Sequence, residues 1–168
     1  MTRKTTQARL HRAVDALRRR CEALEEDYAP LLADIPAAHQ ASARNLVHYL
    51  ALRQHDLRPL QLSLAACGLS SLGRAEAHVM ASVRAVDAAL RALTGQPPAT
   101  APAPVVDFDS GPALLETRAM QLLGSSHRRH PVRVMVTMPT SAATDYSLVR
   151  ELVAAGMDIM RINCAHDD

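Results

Sequence analysis

Aromatic residues are scarce in this 168-residue sequence, which has no tryptophan, three tyrosines and a single phenylalanine, Phe108. The cores of β-sandwiches usually draw on aromatic side chains, so their scarcity argues against that fold class. Hydrophobic residues nevertheless make up 48% of the chain, and most are Ala, Leu and Val. A core of this composition favours packing between helices.

The sequence also has few cysteines, a small net charge and no long apolar run. The three cysteines, Cys21, Cys67 and Cys164, are scattered and odd in number, which argues against a disulfide framework and indicates a reducing compartment. The formal charge of +2 gives no reason to expect a nucleic-acid or membrane partner. No apolar run approaches the roughly 20 residues that span a bilayer, and the basic N-terminus has no apolar segment typical of a secretory signal. We therefore expect a cytoplasmic protein.

Residues 1–95 are predicted to form an α-helical bundle. In the first helix, apolar residues recur at alternating steps of four and three over about seven turns, which places them on one face. Because of Pro30 and Pro36, the sequence does not fix the residue at which this helix ends. The predicted inward face comprises Leu10, Val14, Leu17, Cys21, Leu24, Tyr28 and Leu31.

Shorter periodic stretches predict three further helices before residue 95. The first covers residues 37–55, with Leu46, Tyr49, Leu50 and Leu52 inward, and a short one ends at Gly68. The last begins after an N-cap at Ser70 or Ser71 and ends before Gly95.

The composition changes at residues 96–109, which are rich in proline and alanine. Such a segment favours extended, semi-rigid chain, and we interpret it as a linker between domains. Residues 110–130 then predict a short helix followed by a polar loop.

Residues 131–168 predict one strand–helix–strand unit. Residues 132–137 are β-branched and apolar on both faces, as in a strand covered from both sides. A helix with Thr144 as its N-cap follows, and residues 158–163 form a second short strand. About 20 residues with a helix inside separate the strands, as a parallel crossover requires.

The same segment resembles the beginning of the pyruvate kinase barrel. Its first strand ends in Thr137, Met138, Pro139 and Thr140, where the family has a Thr-Ile-Gly-Pro-Ala-Ser type motif. Its second strand resembles the family pattern Ala-Gly-Met followed by Ala-Arg-Ile/Leu-Asn-Phe-Ser-His-Gly, and the matching residues are Ala155, Gly156, Met157, Arg161, Ile162, Asn163 and His166. The resemblance implies the start of an incomplete TIM (β/α)₈ barrel. It is nearest to a pyruvate kinase-like group with a helical N-terminal extension.

The resemblance also implies an activity and its ligands. Pyruvate kinases transfer a phosphoryl group between phosphoenolpyruvate and ADP in glycolysis, with Mg²⁺ and usually K⁺. The resemblance assigns Arg161 and His166 to the binding of nucleotide and phosphate, and Asn163 to the nucleotide and monovalent-cation site.

Departures from the family pattern limit these expectations. The serine that helps to hold K⁺ in the family is Ala165 here, and a glycine is replaced by Asp167. The family's catalytic lysine and acidic Mg²⁺ ligands belong to later strands. We therefore expect no catalytic residue in this chain, no firm binding of Mg²⁺ or K⁺, and no activity from the chain alone.

A non-enzymatic role is the alternative hypothesis. The four–three stripe of the first helix could pair with another chain, which would make residues 1–95 a homo-oligomerisation or interaction module with a vestigial barrel segment. The eight histidines match no metal-binding pattern and are interpreted as surface or packing residues.

Overall fold

A computed structural model describes residues 3–100, 102–124 and 132–165. These residues are mainly helical and include a two-stranded parallel sheet, which confirms the predicted predominance of helix. No helix in these ranges is both long and apolar enough to cross a membrane. The chain divides into two compact units, Met1–Leu115 and Glu116–Asp168. The main elements are α1 (Arg3–Asp27), α2 (Ala29–Ala33), α3 (Gln40–Arg53), α4 (Arg58–Ala66), α5 (Val79–Thr94), α6 (Ser110–Leu123), β1 (Met135–Thr137), α7 (Tyr146–Ala155) and β2 (Ile159–Arg161).

The core of the first unit lies where α1 packs against α5 and α3. The apolar stripe of α1 faces this core along most of its length, and its counterpart on α5 repeats the same rhythm. Burying a Val or Leu side chain contributes about 1.5–3 kcal/mol to the free energy of unfolding, so the apolar contact of α1 with α5 and α3 dominates the stability of the unit. The buried residues are Leu10, Val14, Leu17 and Cys21 on α1, and Val79, Val83, Val86 and Leu90 on α5.

The stripe of the first helix ends sooner than the periodicity predicted. The helix stops at Asp27, and α2 restarts at Ala29 with Pro30 in its first turn. Leu31 is consequently 64% exposed, so its predicted inward position is wrong, and Leu32 is buried in its place.

The inward face of α3 also differs from the prediction. Leu46 and Leu50 are 56% and 38% exposed, whereas the prediction is confirmed for Leu52, which is buried with Val47, His48 and Ala51. Nε2 of His48 lies 2.6 Å from Oε2 of Glu25 on α1. An apolar pattern does not count a histidine as an inward residue.

The start of α5 is a further correction. The helix begins at Val79 and not directly after Ser70 or Ser71. Its first N–H is capped from another helix, because the amide of Val79 donates to Oδ1 of Asn45 over 2.8 Å. The other end is confirmed, since Gly95 adopts the left-handed conformation after the last turn.

Buried polar groups also join α1 to α5. Asp87 is 3% exposed, and its Oδ2 accepts from Nε of Arg91 at 2.7 Å. Its Oδ1 lies 3.1 Å from Nε2 of His11, although the two atoms are not aligned as a hydrogen bond. The Asp87 charge is therefore balanced inside the interface by Arg91.

The chain after Gly95 still belongs to the first compact unit. The Arg84 guanidinium donates to the carbonyl of Pro102, and Val106 is buried. Gly111 lies so close to Ala77 that a Cβ atom would come within 2.2 Å of its carbonyl oxygen. The Pro-rich segment is thus held on the bundle at several points.

The second unit contains the predicted strand–helix–strand. β1 and β2 pair in parallel, from Met135 opposite Ile159 to Thr137 opposite Arg161, and α7 connects them. The N-cap of α7 is Asp145 and not Thr144, as its Oδ1 accepts from the amide of Leu148 over 3.1 Å. The hydrogen bond from the Ser147 hydroxyl lowers the pKa of Asp145 from its ordinary 3.8.

The faces of this short sheet are open, contrary to the expectation of strands covered from both sides. Each strand has three residues, and apolar side chains on and beside them remain about half exposed or more. A single short helix, α7, accompanies the two strands, and it has no buried residue itself. The exposed apolar residues are Val132, Val134, Met135, Met160 and Ile162.

Candidate functional site

The carboxyl ends of β1 and β2 form one edge of the sheet. Thr137 and Arg161 are the last paired residues, and the amide of Met138 donates to the carbonyl of Arg161 over 2.9 Å. Thr137 and Arg161 are therefore adjacent, as expected from parallel strands.

Hydrogen bonds at the other end of the strands, where β2 begins, fix this register. Oδ2 of Asp158 accepts from the amide of Val134 over 2.8 Å, and the carbonyl of Val134 accepts from the amides of Asp158 and Ile159. These bonds place Asp158 in a structural role at the entry to β2.

Arg161 presents an exposed guanidinium at the end of β2 and makes no ion pair with a residue of the described ranges. A guanidinium in that situation is well suited to bind a phosphate or carboxylate. Asn163 follows two residues after the strand and is half-buried, and its Oδ1 accepts weakly from the amide of Ala165 at 3.4 Å. His166 lies outside the described residues.

Neutral oxygens are available at this edge. Thr137 carries a hydroxyl and Asn163 an amide oxygen, whereas Ala165 has no side-chain oxygen. Within the described part of the chain, no three His, Cys, Asp or Glu side chains are grouped so that they could hold a metal ion. The cation contact of Asn163 stays a prediction.

A second candidate site was not predicted. The loop between α4 and α5 lines a cavity of about 480 Å³ together with Phe108. The rings of Phe108 and His78 lie 4.5 Å apart and are tilted by 46°, and Nδ1 of His78 lies 2.8 Å from Oγ of Ser82. Phe108 lies in the segment that was predicted to be a linker. The isolated phenylalanine was the one signal of this site in the sequence, and it gives no indication of a contact with this loop.

Comparison with known proteins adds no relative. No family model matches the chain, and no curated protein or solved structure matches it either. The assignment of a function therefore depends on the residues and their geometry.

Proposed function

We propose that this chain is the N-terminal part of a pyruvate kinase-like enzyme, whose complete form transfers phosphoryl between phosphoenolpyruvate and ADP. The observation that supports it is the parallel register of β1 and β2, which puts Thr137 beside Arg161. In parallel β/α barrels the active site lies at the carboxyl ends of the strands. Thr137 and Arg161, two of the residues in the proposed motifs, are at the carboxyl ends of their strands.

The chemistry of these residues suits the proposal. Phosphoryl transfer depends mainly on positioning and on neutralising the charge of phosphate oxygens. In the proposed complete enzyme, the exposed guanidinium of Arg161 contacts nucleotide phosphates. The resemblance assigns the amide of Asn163 to the nucleotide and the monovalent cation, and His166 to nucleotide or phosphate.

The chain alone is proposed to be inactive. Its only lysine is Lys4, in α1, so no lysine follows the barrel-like strands within these 168 residues. Two strands are also far from the eight that close a barrel. We propose that Mg²⁺ and K⁺ act only in the complete enzyme, which we place in the cytoplasm because of its cysteine usage.

A chimera tests this function. Residues 131–168 would replace the corresponding opening segment of a complete pyruvate kinase, and pyruvate formation from phosphoenolpyruvate and ADP would be measured. We expect a folded chimera with measurable turnover, which Arg161→Ala reduces at least tenfold by removing a charge-assisted contact. The matched control is Arg150→Ala, an exposed arginine on α7. A folded, active chimera in which both substitutions have equal effects would contradict the proposed role of Arg161, and an inactive chimera would contradict the proposed function.

Exposed leucines on the bundle favour a second candidate function, homo-oligomerisation through the helical unit. Leu31, Leu46 and Leu62 are 64%, 56% and 73% exposed, while the stripe of α1 is buried within the chain. Sedimentation of the full chain at increasing concentration tests this candidate. An oligomer that Leu46→Glu or Leu62→Glu dissociates would support it, and a monomer at every concentration would reject it.

A further inference from the structure

The cavity beside α5 is the second place in the molecule where chemically useful side chains converge. Phe108 is the only phenylalanine of the chain, yet it is 54% exposed at this cavity and does not join the core. It stacks at an angle on His78, so two rings form one wall. Ligand pockets typically combine such an aromatic wall with a few polar groups, and a volume of about 480 Å³ suits a small molecule.

The rest of the lining combines apolar residues, Leu72, Gly73 and Ala75, with polar side chains. Ser70, Ser71 and Arg74 line the cavity from the loop before α5. Arg74 is exposed and has no ion pair with a residue of the described ranges, so its guanidinium is available to a ligand. Nδ1 of His78 is occupied by Ser82, which fixes the plane of the ring.

The backbone of this loop is held in place from the core. Leu72 has a φ of 60°, which is unusual for a residue other than glycine, and its side chain is buried in the core of the bundle. Its amide donates to Oγ of Ser70 at 3.3 Å. The serine hydroxyls are therefore presented by a fixed turn and not by a freely moving loop.

The charge of the lining comes from Arg74. Among the residues that the structure describes, no carboxylate lines the cavity. The nearest carboxylates in sequence are those of Asp107 and Asp109, which flank Phe108, and that of Glu76, which follows Ala75. Of these, Asp107 is occupied, because its Oδ1 accepts from the amides of Asp109 and Ser110 and from the Ser110 hydroxyl.

We propose that this cavity binds a small ligand in which a phosphate group adjoins an aromatic ring. The ring packs against Phe108 and His78, and the phosphate accepts hydrogen bonds from Arg74 and from the serine hydroxyls. The site is independent of the barrel-like segment, because all of its residues belong to the first compact unit.

Calorimetric titration of the full chain tests the proposal with phenyl phosphate, inorganic phosphate and benzyl alcohol as probes. We expect saturable binding of phenyl phosphate, weaker binding of inorganic phosphate and none of benzyl alcohol. Arg74→Gln should weaken phenyl phosphate about tenfold, as expected for the loss of one charge-assisted hydrogen bond. Phe108→Leu should weaken phenyl phosphate and leave inorganic phosphate unchanged.

The control is Arg53→Gln, which removes an exposed arginine at the end of α3, away from the cavity lining. Circular dichroism would verify that each variant remains folded. Three results would overturn the proposal: no saturable binding of phenyl phosphate, equal weakening by Arg74→Gln and Arg53→Gln, or benzyl alcohol binding as well as phenyl phosphate.

Discussion

Nε2 of His48 lies 2.6 Å from Oε2 of Glu25, across the contact between α3 and α1. The His48 side chain is 5% exposed, whereas that of Glu25 is 29% exposed. Arg44, one turn earlier on α3, lies 3.7 Å from the other oxygen of the same carboxylate. The α1–α3 contact therefore combines apolar packing with a polar pair that fixes which face of α3 turns inward.

Removal of that carboxylate should weaken the bundle. Glu25→Ala leaves His48 buried without its partner, and we expect the free energy of unfolding to fall by about 1–2 kcal/mol in urea denaturation at neutral pH. Glu26→Ala is the matched control, because Glu26 is the next residue, is exposed and makes no ion pair in the described part of the chain. Equal losses in the two variants would refute the importance of the pair.

Acid should remove the contribution of Asp15. The hydrogen bond from Arg18 lowers the pKa of Asp15 below its ordinary 3.8, against the opposing effect of burial, and the bond from Arg19 lowers it further. A folded-state pKa below the unfolded value means that the stabilisation is present above about pH 4 and is lost as the pH falls through the folded pKa. The difference in melting temperature between the native chain and Asp15→Asn should therefore shrink in acid. A difference that stays constant or grows below pH 4 would contradict this assignment.

The three cysteines should differ in reactivity. Burial raises the pKa of the Cys21 thiol to about 11, whereas Cys67 is half-buried and Cys164 is exposed. Because the thiolate is the reactive form, iodoacetamide at mildly alkaline pH should label Cys164 first and Cys21 only after denaturation. Peptide mass spectrometry over time measures the order, and labelling in guanidinium chloride provides the reference. Early labelling of Cys21 would show that the contact between α1 and its neighbours opens readily.

Gly111 should be required for the attachment of the segment after the bundle. An alanine there would place its Cβ 2.2 Å from the carbonyl oxygen of Ala77, so the segment must shift. We expect Gly111→Ala to cost about 1–3 kcal/mol locally and to accelerate amide exchange in residues 105–111.

Gly68→Ala is the control for this substitution. Gly68 has a φ of +73°, and no atom lies within 4 Å of the position that an alanine Cβ would take, so alanine there brings backbone strain without overlap. Its effect should appear near the end of α4 and leave the exchange of residues 105–111 unchanged. Acceleration of that segment in the control, or none in Gly111→Ala, would show that the close contact with Ala77 is unimportant.

Local signals in the sequence predicted much of this fold. The apolar rhythm located α1 and α5, and Gly95, which is left-handed, marked the end of α5. The features of the fold that could not be predicted depend on residues that are far away in the sequence. The cap of α5 comes from Asn45, 34 residues before Val79, and a histidine decides the inward face of α3.

The same distinction applies to the candidate sites. The parallel pairing of the two strands was predicted from the length of the intervening helical segment, whereas the second strand ends at Arg161 and not at residue 163. The cavity could not be foreseen, since Phe108 meets His78 only after the Pro-rich segment has folded back on the bundle. That return depends on contacts such as the one between Arg84 and Pro102.

The exposed sheet has a consequence for the association and the degradation of this protein in a cell. In the described residues β1 and β2 pair only with each other, so each has an unpaired outer edge, and apolar side chains beside them face solvent. Edges of this kind recruit further strands, and chaperones and proteases act on exposed apolar segments. We therefore expect the turnover of the chain to depend on what covers these two strands.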